Sequence, residues 1–127
     1  MTSRSTAILV HEPEPYWTPE LQRQFVDEPV TVRGCSSPVE LDALRTNYDA
    51  VVIVFELASS SLTTWLTWLT RRRIVDDPVV ILGSPELAEL EWTFRSAGVA
   101  SFRIDPISGR ELARQCRQWL TLRVGVP

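Results

Sequence analysis

Several reactive side chains directly follow apolar runs in this sequence. His11 and Glu12 come after AILV, Glu56 after VVIVF, Asp105 after SFRI, and Ser84 one residue past VVIL. Serine, histidine and aspartate are the members of a hydrolase triad, and carboxylates supply the oxygen ligands that Mg²⁺ and Ca²⁺ prefer. Whether either chemistry exists depends on the elements that position these residues.

These residue types allow two kinds of site. A hydrolase would use Ser84 as nucleophile with His11 and Asp105, but LGSPE lacks the glycine two residues after the serine that marks a nucleophile elbow. Ser84 also stands before a proline, where it fits a helix N-cap. A weakly held divalent cation would use Glu12, Glu56 and Asp105 as ligands. We therefore expect no enzyme and no cofactor, and keep the cation as an alternative.

Short apolar runs predict five strands. They are rich in Val and Ile and apolar at successive positions, which is typical of strands buried on both faces. The predicted strands are Ala7–Val10, Val30–Val32, Ala50–Phe55, Val79–Leu82 and Ser101–Ile104.

Helix-start chemistry follows most of these strands. SPVE and SGRE, which begin at Ser37 and Ser108, fit the capping box, and Thr18 and Ser84 are N-cap candidates before a proline. Gly98 is a candidate for the left-handed residue after a helix. Helices are predicted over residues 19–26, 38–46, 61–73, 85–97 and 109–122. Strict alternation of strand and helix favours a parallel sheet with helices on both faces, and ligand sites at the carboxyl ends of the strands.

Five segments in this order resemble the receiver domain of bacterial two-component response regulators, over essentially the whole length. They are ILVHE, YDAVVIVFEL, PVVILGS, FRSAGVASFRIDP and SGRELARQCRQWL. The resemblance implies an α/β fold with a doubly wound, five-stranded parallel sheet in the order 2-1-3-4-5, a flavodoxin-like three-layer sandwich. We expect one such domain over residues 1–127.

In that family, two acids hold Mg²⁺, an aspartate accepts the phosphoryl group, and a Thr or Ser and a Lys stabilise the phosphoryl oxygens. By the resemblance, the acids correspond to His11 and Glu12, the aspartate to Val54, the hydroxyl residue to Gly83 and the lysine to Asp105. The sequence contains no lysine, so no shift of alignment restores that group. The resemblance therefore implies a degenerate form, a pseudo-receiver.

Three further residues lie at or near the family's site. Ser84 follows the hydroxyl position by one residue. Glu56 lies two residues past the nucleophile position, where it is a weak substitute for the nucleophile. Phe102 corresponds to the family's aromatic switch residue.

Composition limits the partners. The net charge of −3 and the pI of about 5.1 argue against a nucleic-acid surface. Two distant cysteines and a single histidine do not provide a zinc site of the usual kind. No segment is typical of a signal peptide or a membrane span, so we expect a cytoplasmic protein with free thiols.

Aromatic residues predict a core and a surface. The stripe formed by Leu62, Trp65, Leu66 and Leu69 predicts the buried side of the third helix, with Trp68 on its flank. In the fourth helix the buried side is predicted to consist of Leu87, Leu90, Phe94 and Ala97. Trp92 projects nearly opposite to it.

By the resemblance, Trp92, Arg95 and Phe102 fall on the face formed by the fourth helix, fifth strand and fifth helix. We expect this face to contact a protein partner or a second copy. The predicted function is a phosphorylation-independent interaction module in signalling. The alternatives are a sensor of a small ligand or divalent cation in the strand-end pocket, and a hydrolase using Ser84 and His11.

Overall fold

The computed structural model describes residues 5–71 and 77–124, and five strands alternate with five α-helices. The strands are β1 (Thr6–His11), β2 (Val30–Gly34), β3 (Ala50–Leu57), β4 (Val79–Gly83) and β5 (Ser101–Arg103). The helices are α1 (Trp17–Gln24), α2 (Pro38–Arg45), α3 (Leu62–Arg71), α4 (Glu91–Ser96) and α5 (Gly109–Val124). Short 3₁₀ turns cover Ser59–Ser61 and Pro85–Leu90. Within the described ranges, no helix is long and apolar enough to cross a membrane.

All neighbouring strands pair in parallel, in the order β2-β1-β3-β4-β5. This confirms the predicted sheet and its order. β3 is the central strand, and Ala50 to Phe55 are all buried in it. An apolar strand of this kind is stable only when both faces of the sheet are covered.

Two core layers cover the sheet. Ile53 and Phe55 of β3 face a layer that includes residues of α2, α3 and α4, whereas Val52 and Val54 face a layer that includes residues of α1 and α5. Successive side chains of a strand point to opposite faces, so the parity of a residue decides which layer it joins. The same parity rule applies to polar residues at the strand ends.

Two of the predicted helix caps are confirmed. The hydroxyl oxygens of Ser37 and Ser108 accept hydrogen bonds from the backbone N–H groups of Glu40 and Glu111, each at 3.1 Å. Thr18 is not a cap, because α1 already begins at Trp17.

The fourth helix differs from its prediction. Residues 85–90 form a 3₁₀ turn, and only Glu91–Ser96 are α-helical. Residues three apart eclipse in a 3₁₀ turn, so Leu87 and Leu90 both reach the core from one side. Ser84 is the residue before this turn, but its side chain makes no capping hydrogen bond. Gly98 has the expected positive φ, 89°, after the helix.

Trp68 corrects the predicted stripe of the third helix. Trp65 and Leu69 are buried as expected, but Trp68 is buried as well. Its indole N–H donates to the Asp42 carboxylate at 3.0 Å, and the Arg45 guanidinium lies 5.8 Å from the ring centre. Both partners belong to α2, which covers the flank that the helical angle alone leaves open. The predicted end of this helix, at residue 73, lies outside the described residues.

Val54 tests how strictly the core layer excludes charge. It is fully buried, as predicted, between β3 and the side chains of α1 and α5. We expect Val54→Asp to lower the free energy of unfolding by on the order of 3 kcal/mol, because a carboxylate there loses its hydration. Val54→Thr should cost about 1–2 kcal/mol, since only one hydroxyl is buried. Urea unfolding measures both, and equal stability of Val54→Asp and the unchanged protein would contradict this account.

Candidate functional site

A cleft of about 440 Å³ lies at the carboxyl ends of β3, β4 and β5. Four residues predicted from the sequence, Glu56, Gly83, Ser84 and Asp105, line it. Residues that the sequence analysis did not single out also line it, including Trp17, Leu82, Arg103 and Ile107. The strand ends therefore do form a site, with a membership that differs from the prediction.

His11 is not among the residues that line the cleft. It has the parity of Leu9 and packs its ring 4.5 Å from the Trp65 ring of α3. Its Nδ1 is 2.9 Å from the carbonyl oxygen of Cys35. The structure therefore does not bring His11 together with Ser84 and Asp105, and the hydrolase triad is not assembled.

Glu12 is the N-terminal cap of α1. Its carboxylate accepts hydrogen bonds from the backbone N–H groups of Tyr16, Trp17 and Thr18 at 2.9, 2.7 and 2.8 Å. Partial burial raises the pKa of Glu12, but these amides outweigh it and hold the pKa below its ordinary value. Both carboxylate oxygens are thus already engaged with the helix.

The cation alternative loses one of its three ligands for this reason. Glu56 and Asp105 line the cleft, whereas Glu12 does not. Across residues 5–71 and 77–124, no three His, Cys, Asp or Glu side chains are grouped so that they could hold a metal ion. Burial raises the pKa of both Cys35 and Cys116 to about 12, so these thiols are protonated at neutral pH.

Packing constrains Val54 and Gly83, the two residues that the resemblance assigns to the nucleophile and hydroxyl positions. Val54 is fully buried, and Glu56, the next residue on the same face, is the first of that row to reach the cleft. A Cβ atom at Gly83 would lie 3.2 Å from the Cδ1 atom of Leu87, which is itself buried. A side chain at position 83 would therefore require Leu87 to move.

Of the three residues predicted to form the contact face, two are exposed and one is buried. Trp92 is 80% exposed, as expected, and Arg95 is exposed with its Nε 2.8 Å from the Glu91 carboxylate. Phe102 is buried and stacks on Phe94, with 5.4 Å between ring centres. The prediction of Phe102 as an interface residue is therefore wrong, because the alternation of β5 turns its ring into the core.

Arg103 could have been found by the same alternation. Phe102 is apolar and faces the α4 layer, so Arg103 must face the α1 and α5 side, to which Leu82 and Trp17 of the cleft lining also belong. Trp17 required knowledge of where α1 begins. That start is set by Glu12 and not by the TPE segment, so the sequence signal was misleading.

Comparisons with known proteins identify the fold. No protein-family model and no curated protein matches the sequence. Among solved structures, the signal receiver domain of an HD domain-containing protein from Pseudomonas fluorescens is similar, with a TM-score of 0.73 and 16% identity over 98% of this chain and 93% of that one. The CheY-like protein tadZ from Pseudomonas aeruginosa has a TM-score of 0.70 and 21% identity over 90% and 98%. The receiver domain of Francisella response regulator 1452 has a TM-score of 0.68 and 20% identity over 90% and 95%. The chain therefore has the fold of the CheY-like receiver domains.

Replacement of Glu12 tests its capping role. Glu12→Gln keeps one acceptor oxygen and loses the charge, so it should lower the free energy of unfolding by about 1 kcal/mol at neutral pH. Because the folded-state pKa is lowered, the stabilisation by the carboxylate is complete above the ordinary value of 4.5 and is lost as the pH falls through the folded-state pKa. The difference between Glu12→Gln and the unchanged protein should thus shrink in urea melts between pH 6 and pH 3.

Glu14→Gln is the matched control, since Glu14 is an exposed acid on the same loop. It should leave the unfolding midpoint unchanged at every pH. A loss in Glu12→Gln that stays constant with pH would contradict capping by the ionised carboxylate.

Proposed function

We propose that this chain is a regulatory domain of the receiver type that acts by contacting another protein and not by phosphotransfer. The observation that carries the proposal is Val54, fully buried at the position that corresponds to the phosphate-accepting aspartate. A valine side chain has no nucleophilic atom. The fold supports the regulatory part of the proposal, since the similar structures are described as receiver domains and response regulators.

The surroundings of Val54 support the loss of phosphate chemistry. The carboxylate of Glu12 accepts hydrogen bonds from the backbone amides of α1, and Gly83 supplies no hydroxyl where the family has one. Asp105 stands where the family has a lysine, and the sequence contains no lysine elsewhere. Stabilisation of a phosphoryl group needs cations and donors around its oxygens, and these substitutions remove them.

Carboxylates on the cleft also oppose an incoming phosphate. Glu56, Glu86 and Asp105 line it, and Arg103 is the one arginine among the lining residues. Carboxylates that line the same cleft repel a phosphate dianion that enters it. Glu56 is therefore a poor substitute acceptor, although it is the first acid on the row of Val54.

Trp92 supports the protein-contact part of the proposal. It is the most exposed large apolar side chain in the described ranges, and the ion pair of Glu91 with Arg95 lies on the same helix. An indole ring left in water forfeits roughly 2–3 kcal/mol of burial, which an interface can recover. Tryptophan and arginine are also enriched at the energetic centres of protein interfaces. We propose that α4, together with the outer surfaces of β5 and α5, makes the contact.

Treatment with Mg²⁺ and acetyl phosphate tests the loss of phosphorylation. We expect no added phosphoryl mass in the intact protein, because neither Val54 nor its neighbours provide the required acceptor and cations. The Val54→Asp variant should also stay unmodified, since the hydroxyl and the lysine remain absent. A phosphoryl group on Glu56 or on another acid in the unchanged protein would refute the proposal.

Trp92→Ala tests the contact surface. Since the ring is largely in water, its removal should change the free energy of unfolding by less than about 0.5 kcal/mol. Self-association measured by sedimentation at several concentrations, or capture of a protein partner, should weaken. Val39→Ala is the matched control, because Val39 is 79% exposed on α2. If Trp92→Ala lost several kcal/mol of stability without a change in association, Trp92 would be a packing residue and the contact face would be misplaced.

A further inference from the structure

Two opposite charges face the cleft from strands that are not neighbours. Glu56 pairs in register with Leu82, and Leu82 with Arg103, so the three residues form a row across β3, β4 and β5. Leu82 belongs to the core layer that includes α1 and α5, and register partners share a face of the sheet, so all three point to that side. The backbones of Glu56 and Arg103 are two strand spacings apart, roughly 10 Å.

Neither charge is neutralised by a close partner. Within the described ranges, the side chains of Glu56 and Arg103 take part in no hydrogen bond and no ion pair, and Leu82 lies between them. Arg103 acts only at longer range on Glu111, whose carboxylate is already held by Arg114. Both Glu56 and Arg103 are partly buried. A partly buried charge without a partner has lost hydration without compensation, so each gains from a ligand of opposite charge.

The space between the two charges is apolar. Leu82, Trp17 and Ile107 line the cleft together with them. Its volume of about 440 Å³ falls inside the usual range of small-molecule sites, about 300–1,000 Å³. An apolar section with a charge at each end suits a ligand that has methylene groups between two charged ends.

The net charge of the cleft determines the sign of the net charge that a ligand should carry. Glu86 and Asp105 add two more carboxylates to the rim, and Glu86 also accepts a hydrogen bond from the Ser59 hydroxyl at 3.0 Å. Three carboxylates against one guanidinium favour a ligand with a net positive charge.

We propose that this cleft binds a small molecule that carries two cationic groups and one carboxylate, with the size and charge spacing of free arginine. The cationic end pairs with Glu56, the carboxylate pairs with Arg103, and the methylene chain lies on Leu82 and Trp17. Asp105, two residues after Arg103, balances the α-ammonium group. Simple α-amino acids do not fit this arrangement, since only one carbon separates their charges. The proposal goes beyond the proposed function and does not depend on it.

Three probes separate the two charge contacts in the unchanged protein. Free arginine carries both ends, agmatine lacks the carboxylate, and citrulline replaces the guanidinium by a neutral urea group. At constant ionic strength, arginine should give saturable binding by calorimetry and a saturable rise in melting temperature. Agmatine and citrulline should each bind roughly tenfold more weakly, because each leaves one protein charge unpaired. Equal affinities for all three probes, or no saturable binding of arginine in the millimolar range, would overturn the proposal.

Two variants assign the ends of the ligand. Glu56→Gln should abolish the preference for arginine over citrulline and keep the preference for arginine over agmatine. Arg103→Gln should do the reverse. Glu14→Gln, which changes an exposed acid outside the cleft, should leave all three affinities unchanged. If Glu56→Gln and Arg103→Gln both leave the preferences intact, the ligand binds elsewhere. These outcomes are independent of acetyl phosphate labelling, so the two proposals fail separately.

Discussion

The burial of β3 on both faces is the constraint on which the rest of the structure depends. Its residues from Ala50 to Phe55 have almost no contact with water, and helices cover both sides of the sheet. A strand in this position tolerates a charged side chain only where water, a cation or a hydrogen-bonding group reaches it. The apolar layer on the α1 and α5 side includes Val54. The next residue of β3 on that side is Glu56, which is the first charged residue of the strand to reach the cleft.

Strand parity decides which strand-end residues can act together. His11 and Glu12 are adjacent in sequence, but His11 joins the aromatic side chains of the α3 layer whereas Glu12 holds the start of α1. Glu56 and Arg103 are far apart in sequence, yet they share a row and a face. Sequence proximity thus groups the wrong residues. The alternation of side chains along each strand separates the triad that the residue types allow and places together the opposite charges that line the cleft.

The fold could be predicted from the sequence because its signals are local and consistent. The apolar strands, the serine caps at Ser37 and Ser108, and Gly98 all mark element boundaries by short-range chemistry, and the structure agrees with each of them. The site was less predictable, because its members depend on tertiary packing. Trp68 is buried because α2 lies beside it. The helix α1 begins two residues before its predicted start, where the carboxylate of Glu12 accepts hydrogen bonds from its first amides. Phe102 was assigned to a surface by resemblance, although the parity of its strand turns it inward.

Glu12 shows how the end of β1 accommodates a carboxylate. A partly buried carboxylate is stabilised by positive charge nearby. In the receiver family, which the sequence resembles, a bound cation provides that charge. In this chain the backbone amides at the start of α1 provide it, since a helix N-terminus carries a partial positive charge of about half an elementary charge. The neighbouring residue, His11, adds no second carboxylate at this point. Glu56 and Asp105 line the cleft together with Arg103. The carboxylate at the end of β1 is therefore bound by backbone amides, whereas those on the cleft have no such amide partners within the described ranges and are the ones that a cationic ligand would meet.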